Sequence, residues 1–141
     1  MEYDAQMARR VWQRVRGEGN GSGEIQSFLA ETLRWAAIYR RLARQEKGPR
    51  GVRIGRLERE SRELTAAVRG ILIGAGENPP RQSQRDPAPA GLAEGLRSTV
   101  TRYGQCRALA EDPMFGPVWA GMGEILRGQC VLLAALLGES A

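Results

Sequence analysis

The sequence predicts an all-α protein built around an antiparallel four-helix bundle, and three observations lead to this fold class. Four segments of roughly 20 residues repeat apolar side chains at spacings of three and four. Their connections are short, long and short, and no segment alternates apolar and polar residues as a half-buried strand does. The 141 residues are also enough for one domain with a single core.

The first two bundle helices are predicted at residues 24–47 and 52–73. Gly48-Pro49-Arg50-Gly51 breaks the pattern between them, and Gly74 and Gly76 mark the second end. The apolar stripe of the first helix consists of Ile25, Phe28, Thr32, Trp35, Tyr39 and Leu42. The seam of the second helix consists of Leu57, Glu60, Leu64, Ala67 and Ile71.

The third and fourth helices are predicted at residues 91–111 and from Asp112 to about residue 137, because Asp112-Pro113 combines an N-cap with a first-turn proline. The predicted stripe of the third helix is Leu92, Leu96, Thr99, Tyr103, Cys106 and Leu109. That of the fourth helix is Phe115, Val118, Met122, Ile125, Leu132 and Leu136.

The remaining segments complete the predicted domain organisation. Residues 76–90 contain four of the seven prolines and form a long crossover from helix 2 to helix 3. Residues 1–16 carry a short amphipathic helix with Met7, Val11 and Val15 on one face. Residues 17–23 form a glycine-rich linker, so we expect the bundle at residues 24–138.

The composition excludes several classes of site. The chain has no histidine, which removes Ser-His-Asp and Cys-His catalysis and every histidine-containing metal site. No phosphate-binding glycine loop and no paired CxxC motif occurs. Two cysteines, the lack of an apolar signal core and the shortness of the longest apolar run, residues 130–137, predict a cytoplasmic protein without a membrane segment.

The basic charge has two interpretations. The net charge is +5, and nine arginines fall between Arg34 and Arg62, which would suit a nucleic-acid-binding helical protein. Glutamates interleave with these arginines, however, as expected of a solvated helix face. We therefore expect no nucleic-acid partner and keep nucleic-acid binding as an alternative.

The two halves of the predicted bundle repeat each other. Setting Thr32 on Thr99 also matches the three residues Arg40, Leu42 and Ala43 with Arg107, Leu109 and Ala110. Glu60-x-x-Glu63 in the second helix then corresponds to Glu124-x-x-Arg127 in the fourth.

With these features the chain resembles the ferritin-like superfamily, and within it the rubrerythrin-like proteins. The segments that carry the resemblance are FLAE at 28–31, YRRLA at 39–43, LERE at 57–60 and LAEDPMFGPVW at 109–119, followed by Glu124. The resemblance covers residues 25–137 and implies a ferritin-like bundle. Such proteins hold two metal ions with one glutamate from each of helices 1 and 3 and a Glu-x-x-His from each of helices 2 and 4.

Carried over by position, the resemblance implies a degenerate metal site. Glu60 and Glu124 match the glutamates of the two Glu-x-x-His motifs. Glu63 and Arg127 stand where the two histidines belong. Thr32 and Thr99 stand at the positions of the two single glutamates. A guanidinium stays protonated and takes the place of a cation, so we predict that Arg127 neutralises Glu124 and a carboxylate of helix 2.

Two alternatives to this charge network stay open. Glu31, Glu60, Glu63 and Glu124 offer the oxygen ligands that a divalent iron, manganese or zinc ion accepts. By strict periodicity Glu63 and Glu124 also lie beside the apolar seams, where they would simply be solvated.

The predicted function is a non-catalytic scaffold or binding protein without a cofactor, and we expect a homodimer. The enzyme-class alternative is a rubrerythrin-like metal-dependent oxidoreductase or iron-handling protein with a carboxylate-only site.

Overall fold

Four α-helices make up the fold, and no strand occurs among the residues described. The computed structural model describes residues 21–77 and 87–139. The helices are α1 (Gly21–Gln45), α2 (Pro49–Gly74), α3 (Leu92–Leu109) and α4 (Gly116–Glu139). The predicted all-α class with four bundle helices is therefore confirmed. The predicted N-terminal helix, most of the glycine-rich linker and residues 78–86 of the proline-rich segment lie outside the described residues.

The helix boundaries follow from local chemistry. Gly48 has a φ of 84°, a left-handed conformation suited to glycine, and Pro49 then starts α2 at a position where its missing N–H costs nothing. Gly51 packs against the backbone carbonyl of Glu46, and a Cβ at this position would clash with it. These residues therefore make the tight turn between α1 and α2.

Two boundaries differ from the prediction. α1 begins at Gly21, inside the predicted linker, because the apolar residues near its start are buried and extend the helix. α4 begins at Gly116 and not directly after Asp112-Pro113. The Asp112 carboxylate accepts hydrogen bonds from the backbone N–H groups of Met114 (3.2 Å) and Phe115 (3.3 Å), so it caps a turn that precedes the helix.

The helices form two hairpins, α1 with α2 and α3 with α4, and the hairpins pack together through α1–α3 and α2–α4 contacts. The first core cluster contains residues from all four helices, among them Phe28, Leu64, Cys106 and Trp119. The rings of Phe28 and Trp119 meet edge to face with their centroids 5.5 Å apart. A second cluster lies towards the other end and includes Trp35, Tyr39, Ile54, Leu57, Leu133 and Leu136.

The contacts between hairpins define the helix directions. Later residues of α1 meet earlier residues of α3, since Glu31 bonds to Ser98 while Tyr39 touches Gly95. The start of α2 lies beside the end of α4, where Arg53 forms two hydrogen bonds of 2.6 Å with Glu139. Both pairs therefore run antiparallel.

The buried faces of α2 and α4 are rotated from the predicted stripes. In α2, Ser61 and Val68 are buried, whereas Glu60 and Ala67 are only half-buried. The buried stripe of α4 is Trp119, Met122, Leu126, Gln129, Leu133 and Leu136. Val118, which was predicted to be buried, is 41% exposed, because burying the much larger Trp119 side chain removes more apolar surface from water.

α4 is also the one described helix that is long and apolar enough to cross a membrane, judged by length and composition only. Only 33% of the apolar window concerned is buried. Core helices of soluble proteins satisfy the same criteria.

Candidate functional site

A buried arginine occupies the centre of the α1–α3 interface. Arg102 is 1% exposed, and its guanidinium donates hydrogen bonds to the hydroxyl oxygens of Thr32 (3.3 Å) and Thr99 (3.4 Å). Its Nε donates to the backbone carbonyl of Ser98 at 3.3 Å. Each threonine donates its own proton to a carbonyl one turn earlier, Phe28 for Thr32 and Gly95 for Thr99. Their lone pairs are therefore free to accept from the guanidinium.

The charge of Arg102 is not neutralised by direct contact with a carboxylate in the described part of the chain. Burial lowers the pKa of Arg102, and the nearby carboxylate of Glu31 acts in the opposite direction. A buried charge without an ion-pair partner is expensive unless its hydrogen bonds are satisfied. The two threonine hydroxyls and the Ser98 carbonyl satisfy part of that requirement.

Tyr39 lies close to the arginine and packs against Gly95. The Tyr39 hydroxyl is buried without a hydrogen-bond partner among the described residues. Burial raises the pKa of Tyr39, and the charge of Arg102 lowers it. A Cβ at Gly95 would lie 2.9 Å from the Tyr39 hydroxyl and 3.1 Å from the Trp35 ring, so only glycine fits there without movement.

Glu31 lies at the rim of this centre. Its carboxylate accepts hydrogen bonds from Ser98 Oγ (2.8 Å), Trp35 Nε1 (3.1 Å) and Arg34 Nη1 (3.1 Å). Partial burial raises the pKa of Glu31, but the hydrogen bonds from Ser98, Arg34 and Trp35, with the Arg34 charge, outweigh it and hold that pKa below its usual value. The carboxylate therefore stays ionised and links α1 to α3.

The six positions implied by the resemblance do not converge on one centre. Thr32 and Thr99 meet around Arg102 inside the bundle. The side chains of Glu124 and Arg127 are 71% and 67% exposed and form an ion pair of 3.6 Å within α4. Glu63 is also exposed.

Glu60 is intermediate in exposure between the buried threonines and the exposed Glu63, Glu124 and Arg127. Its side chain is 21% exposed, it pairs with Arg56 at 3.4 Å, and it accepts a hydrogen bond of 3.5 Å from Gln129 of α4. The predicted network, in which Arg127 neutralises Glu124 and a carboxylate of helix 2, is therefore present only as a surface pair within α4. The solvated alternative describes Glu63 and Glu124 better.

No group of three or more carboxylates or cysteines in residues 21–77 and 87–139 is arranged to hold a metal ion. Glu31, Glu60, Glu63 and Glu124, the ligands of the alternative metal site, are thus held apart by the fold. The Arg102 guanidinium instead supplies positive charge to the interior, between Thr32 and Thr99.

The surroundings of both cysteines disfavour the thiolate. Both are free, and burial raises the pKa of the Cys106 thiol to about 12. Burial also raises the pKa of Cys130, and the charge of Arg102 opposes it. Because the thiolate is the nucleophile, burial makes Cys106 a poor nucleophile near neutral pH.

A shallow pocket of about 250 Å³ lies at one end of the bundle, away from Arg102. Its polar wall consists of Gln45, Glu46 and Arg50, with Glu46 and Arg50 paired at 3.4 Å. The apolar wall consists of Leu42, Ile54, Leu92 and Leu137. Its residues are not among the candidate positions.

Four buried polar residues were not predicted: Ser61, Thr65, Arg102 and Gln129. The signal for Arg102 was present, since it lies three residues after Thr99 and four before Cys106, on the same helical stripe. In the internal repeat it also aligns with Trp35, which is buried.

Comparisons with protein-family models, with curated proteins and with solved structures found no match.

Proposed function

We propose that the chain is a ferritin-like helical bundle that has exchanged its metal centre for a buried arginine and serves as a non-catalytic scaffold or binding protein. The observation that carries this proposal is the position of Arg102. It lies between Thr32 and Thr99, the residues that stand where the resemblance implies metal-binding glutamates. A guanidinium provides fixed positive charge between helices without offering an open coordination position.

The ferritin-like topology is supported by the helix directions. α1 runs antiparallel to both α2 and α3, so α2 and α3 point the same way, as expected of two helices joined by a long connection. The end of this connection lies near α1, since Arg41 donates a hydrogen bond of 2.9 Å to the Pro87 carbonyl. A segment of roughly 15 residues reaches up to about 50 Å when extended, more than the length of a 20-residue helix at about 30 Å.

The non-catalytic assignment is supported by the state of the interior groups. A general acid or base needs a pKa near the working pH, and a nucleophile needs activation. Burial instead raises the pKa values of Tyr39 and Cys106, and the pKa of Glu31 is lowered. Tyr39 and Cys106 in the interior and Glu31 at its rim therefore keep one protonation state around neutral pH.

Metal analysis tests this proposal. The full chain, purified without chelator and dialysed against iron, manganese or zinc, is expected to hold far less than one equivalent of metal by mass spectrometry. Glu60→Ala should leave that content unchanged. Stoichiometric metal that is lost in Glu60→Ala would contradict the scaffold assignment and favour the metal-dependent enzyme.

A further inference from the structure

The outward face of α4 differs from the other exposed helix surfaces. Eleven of the positions between residues 117 and 138 are exposed, and only Glu124 and Arg127 among them are charged. Val131 on this face is 68% exposed. On α2, by contrast, Arg56, Arg59, Arg62 and Glu63 point to solvent.

The exposed residues of α4 follow the spacing of a helix–helix seam. Successive positions are four and three residues apart, the repeat that keeps one stripe facing a partner helix. The stripe consists of Pro117, Gly121, Glu124, Gly128, Val131, Ala135 and Gly138, all of which are exposed.

Packing within the described chain gives no reason for the glycines of this stripe. A Cβ added at Gly121, Gly128 or Gly138 would have no neighbouring atom within 4 Å. A glycine inside a helix costs about 1 kcal/mol relative to alanine. Small residues on an outer face do, however, let a second helix approach closely.

We propose that this face of α4 is the interface of a homodimer, in which α4 packs antiparallel against α4 of a second copy. The inference is independent of the proposed function. It rests on this stripe, in which Glu124 is the one charged residue, and on the self-complementarity of Glu124 and Arg127, the two charges of the exposed face. In a twofold arrangement each charge is met by the opposite charge of the other copy, which an isologous interface requires.

The helical spacing gives the register. With the twofold axis near residue 126, Glu124 lies beside Arg127 of the partner subunit, and the contact occurs twice. In the same register Gly121 lies opposite Val131 of the partner subunit, and Gly128 lies opposite Glu124 of the partner subunit. Each glycine thus faces a larger side chain, as size complementarity requires.

The same two charges argue against a lipid bilayer as the occupant. Glu124 and Arg127 lie in the middle of α4, at the depth where charged side chains are most expensive in a membrane. The two side chains already pair within α4 at 3.6 Å, and a second copy offers each of them a further opposite charge.

Charge exchange tests the proposal on the full chain by sedimentation velocity and light scattering. Wild type is expected to be a dimer at about 100 μM. Glu124→Arg alone and Arg127→Glu alone should each raise the dimer dissociation constant by about a hundredfold or more, because like charges meet across the axis. The double variant should restore dimerisation, since both pairs re-form with reversed sign.

A glycine pair provides a matched control. Gly128→Leu should separate the subunits, whereas Gly104→Leu on α3 should not, and neither position has a neighbour within 4 Å that would disturb the monomer fold. Far-ultraviolet circular dichroism checks that each variant remains helical. A wild-type monomer at about 100 μM, or a dimer unaffected by Glu124→Arg and Gly128→Leu, overturns the proposal. Co-sedimentation of a wild-type monomer with phosphatidylcholine–phosphatidylglycerol vesicles would also overturn it and assign the face to lipid.

Discussion

The burial of the Arg102 guanidinium is energetically unfavourable, and its local hydrogen bonds offset part of that cost. Removing a guanidinium from water is unfavourable, and among the described residues its hydrogen-bond acceptors are two hydroxyls and a carbonyl, with no carboxylate. The contribution of Arg102 to stability therefore depends on Thr32 and Thr99. Without the arginine, no guanidinium would need the hydroxyl acceptors at these two positions. The energetics of Arg102 and Thr32 should be coupled.

We predict this coupling from a double-mutant cycle. Thr32→Val should lower the free energy of unfolding by about 1–3 kcal/mol, because it leaves a buried N–H donor without its acceptor. Arg102→Met should be neutral or stabilising, as replacements of buried charges by apolar side chains often are. In the Arg102→Met background Thr32→Val should lose most of its cost. Urea unfolding measures all four proteins, and simply additive effects would contradict the coupling.

Cys106 gives a pH-dependent prediction. The folded pKa is raised from 9.0 to about 12, so the unfolded thiol ionises first as pH increases. Above pH 9 the unfolded state binds fewer protons than the folded state, and the free energy of unfolding falls until the folded thiol ionises near pH 12. The raised pKa values of Tyr39 and Cys130 act in the same direction.

The measurement is urea unfolding at a series of pH values from neutral to strongly alkaline. Cys106→Ala is the comparison, since it removes one of these titrating groups from the core. Its stability should fall less steeply above pH 9 than that of the wild type. Equal slopes in the two proteins would show that the thiol ionises as easily in the folded state as in the unfolded one.

At the scale of the element, the sequence predicts helix number and approximate bounds well, and the buried face less well. The stripe of α1 from Ile25 to Tyr39 is buried as predicted, because its apolar residues form one unambiguous face. In α4 apolar and small residues surround the helix, so periodicity alone does not distinguish Leu132 from Leu133. Tertiary packing decides, and Leu133 is the one fully buried.

These two adjacent leucines provide a matched test of the rotated face. Leu133→Ala should lower the free energy of unfolding by about 2–5 kcal/mol, because it leaves a cavity in the core. Leu132→Ala should cost clearly less, since its side chain is only half-buried. The two variants have the same helix propensity change, so the difference reports burial alone. A larger loss in Leu132→Ala would support the stripe predicted from the sequence.

The candidate site was harder to predict than the helices. Thr32 and Thr99, which the internal repeat aligns, do lie at one interface, whereas Glu124 and Arg127, which the resemblance assigned to the same site, lie on the surface. A one-residue rotation of a helix changes which side chains enter the core, and sequence spacing does not resolve that rotation. The burial of Arg102 was not predicted, because a charged residue on an apolar stripe is ordinarily assigned to the solvent-exposed surface.

At the scale of the whole molecule, the two hairpins depend on each other. The first core cluster includes residues of all four helices, and Arg102 of α3 bonds to Thr32 of α1. At the far end, Arg53 near the start of α2 is held by Glu139 at the end of α4. Neither hairpin encloses a complete core alone, so we expect a single cooperative unfolding unit.

Coincident unfolding transitions provide the last prediction. Far-ultraviolet circular dichroism reports all helices, whereas tryptophan fluorescence in a Trp12→Phe variant reports Trp35 in one core cluster and Trp119 in the other. The two probes should give the same urea midpoint and the same slope, because the clusters share all four helices. Separate fluorescence changes, or a helical signal that persists after the fluorescence change, would mean that the hairpins unfold independently. Removing shared contacts with Leu126→Ala should move both transitions together, since its side chain is fully buried in the first cluster.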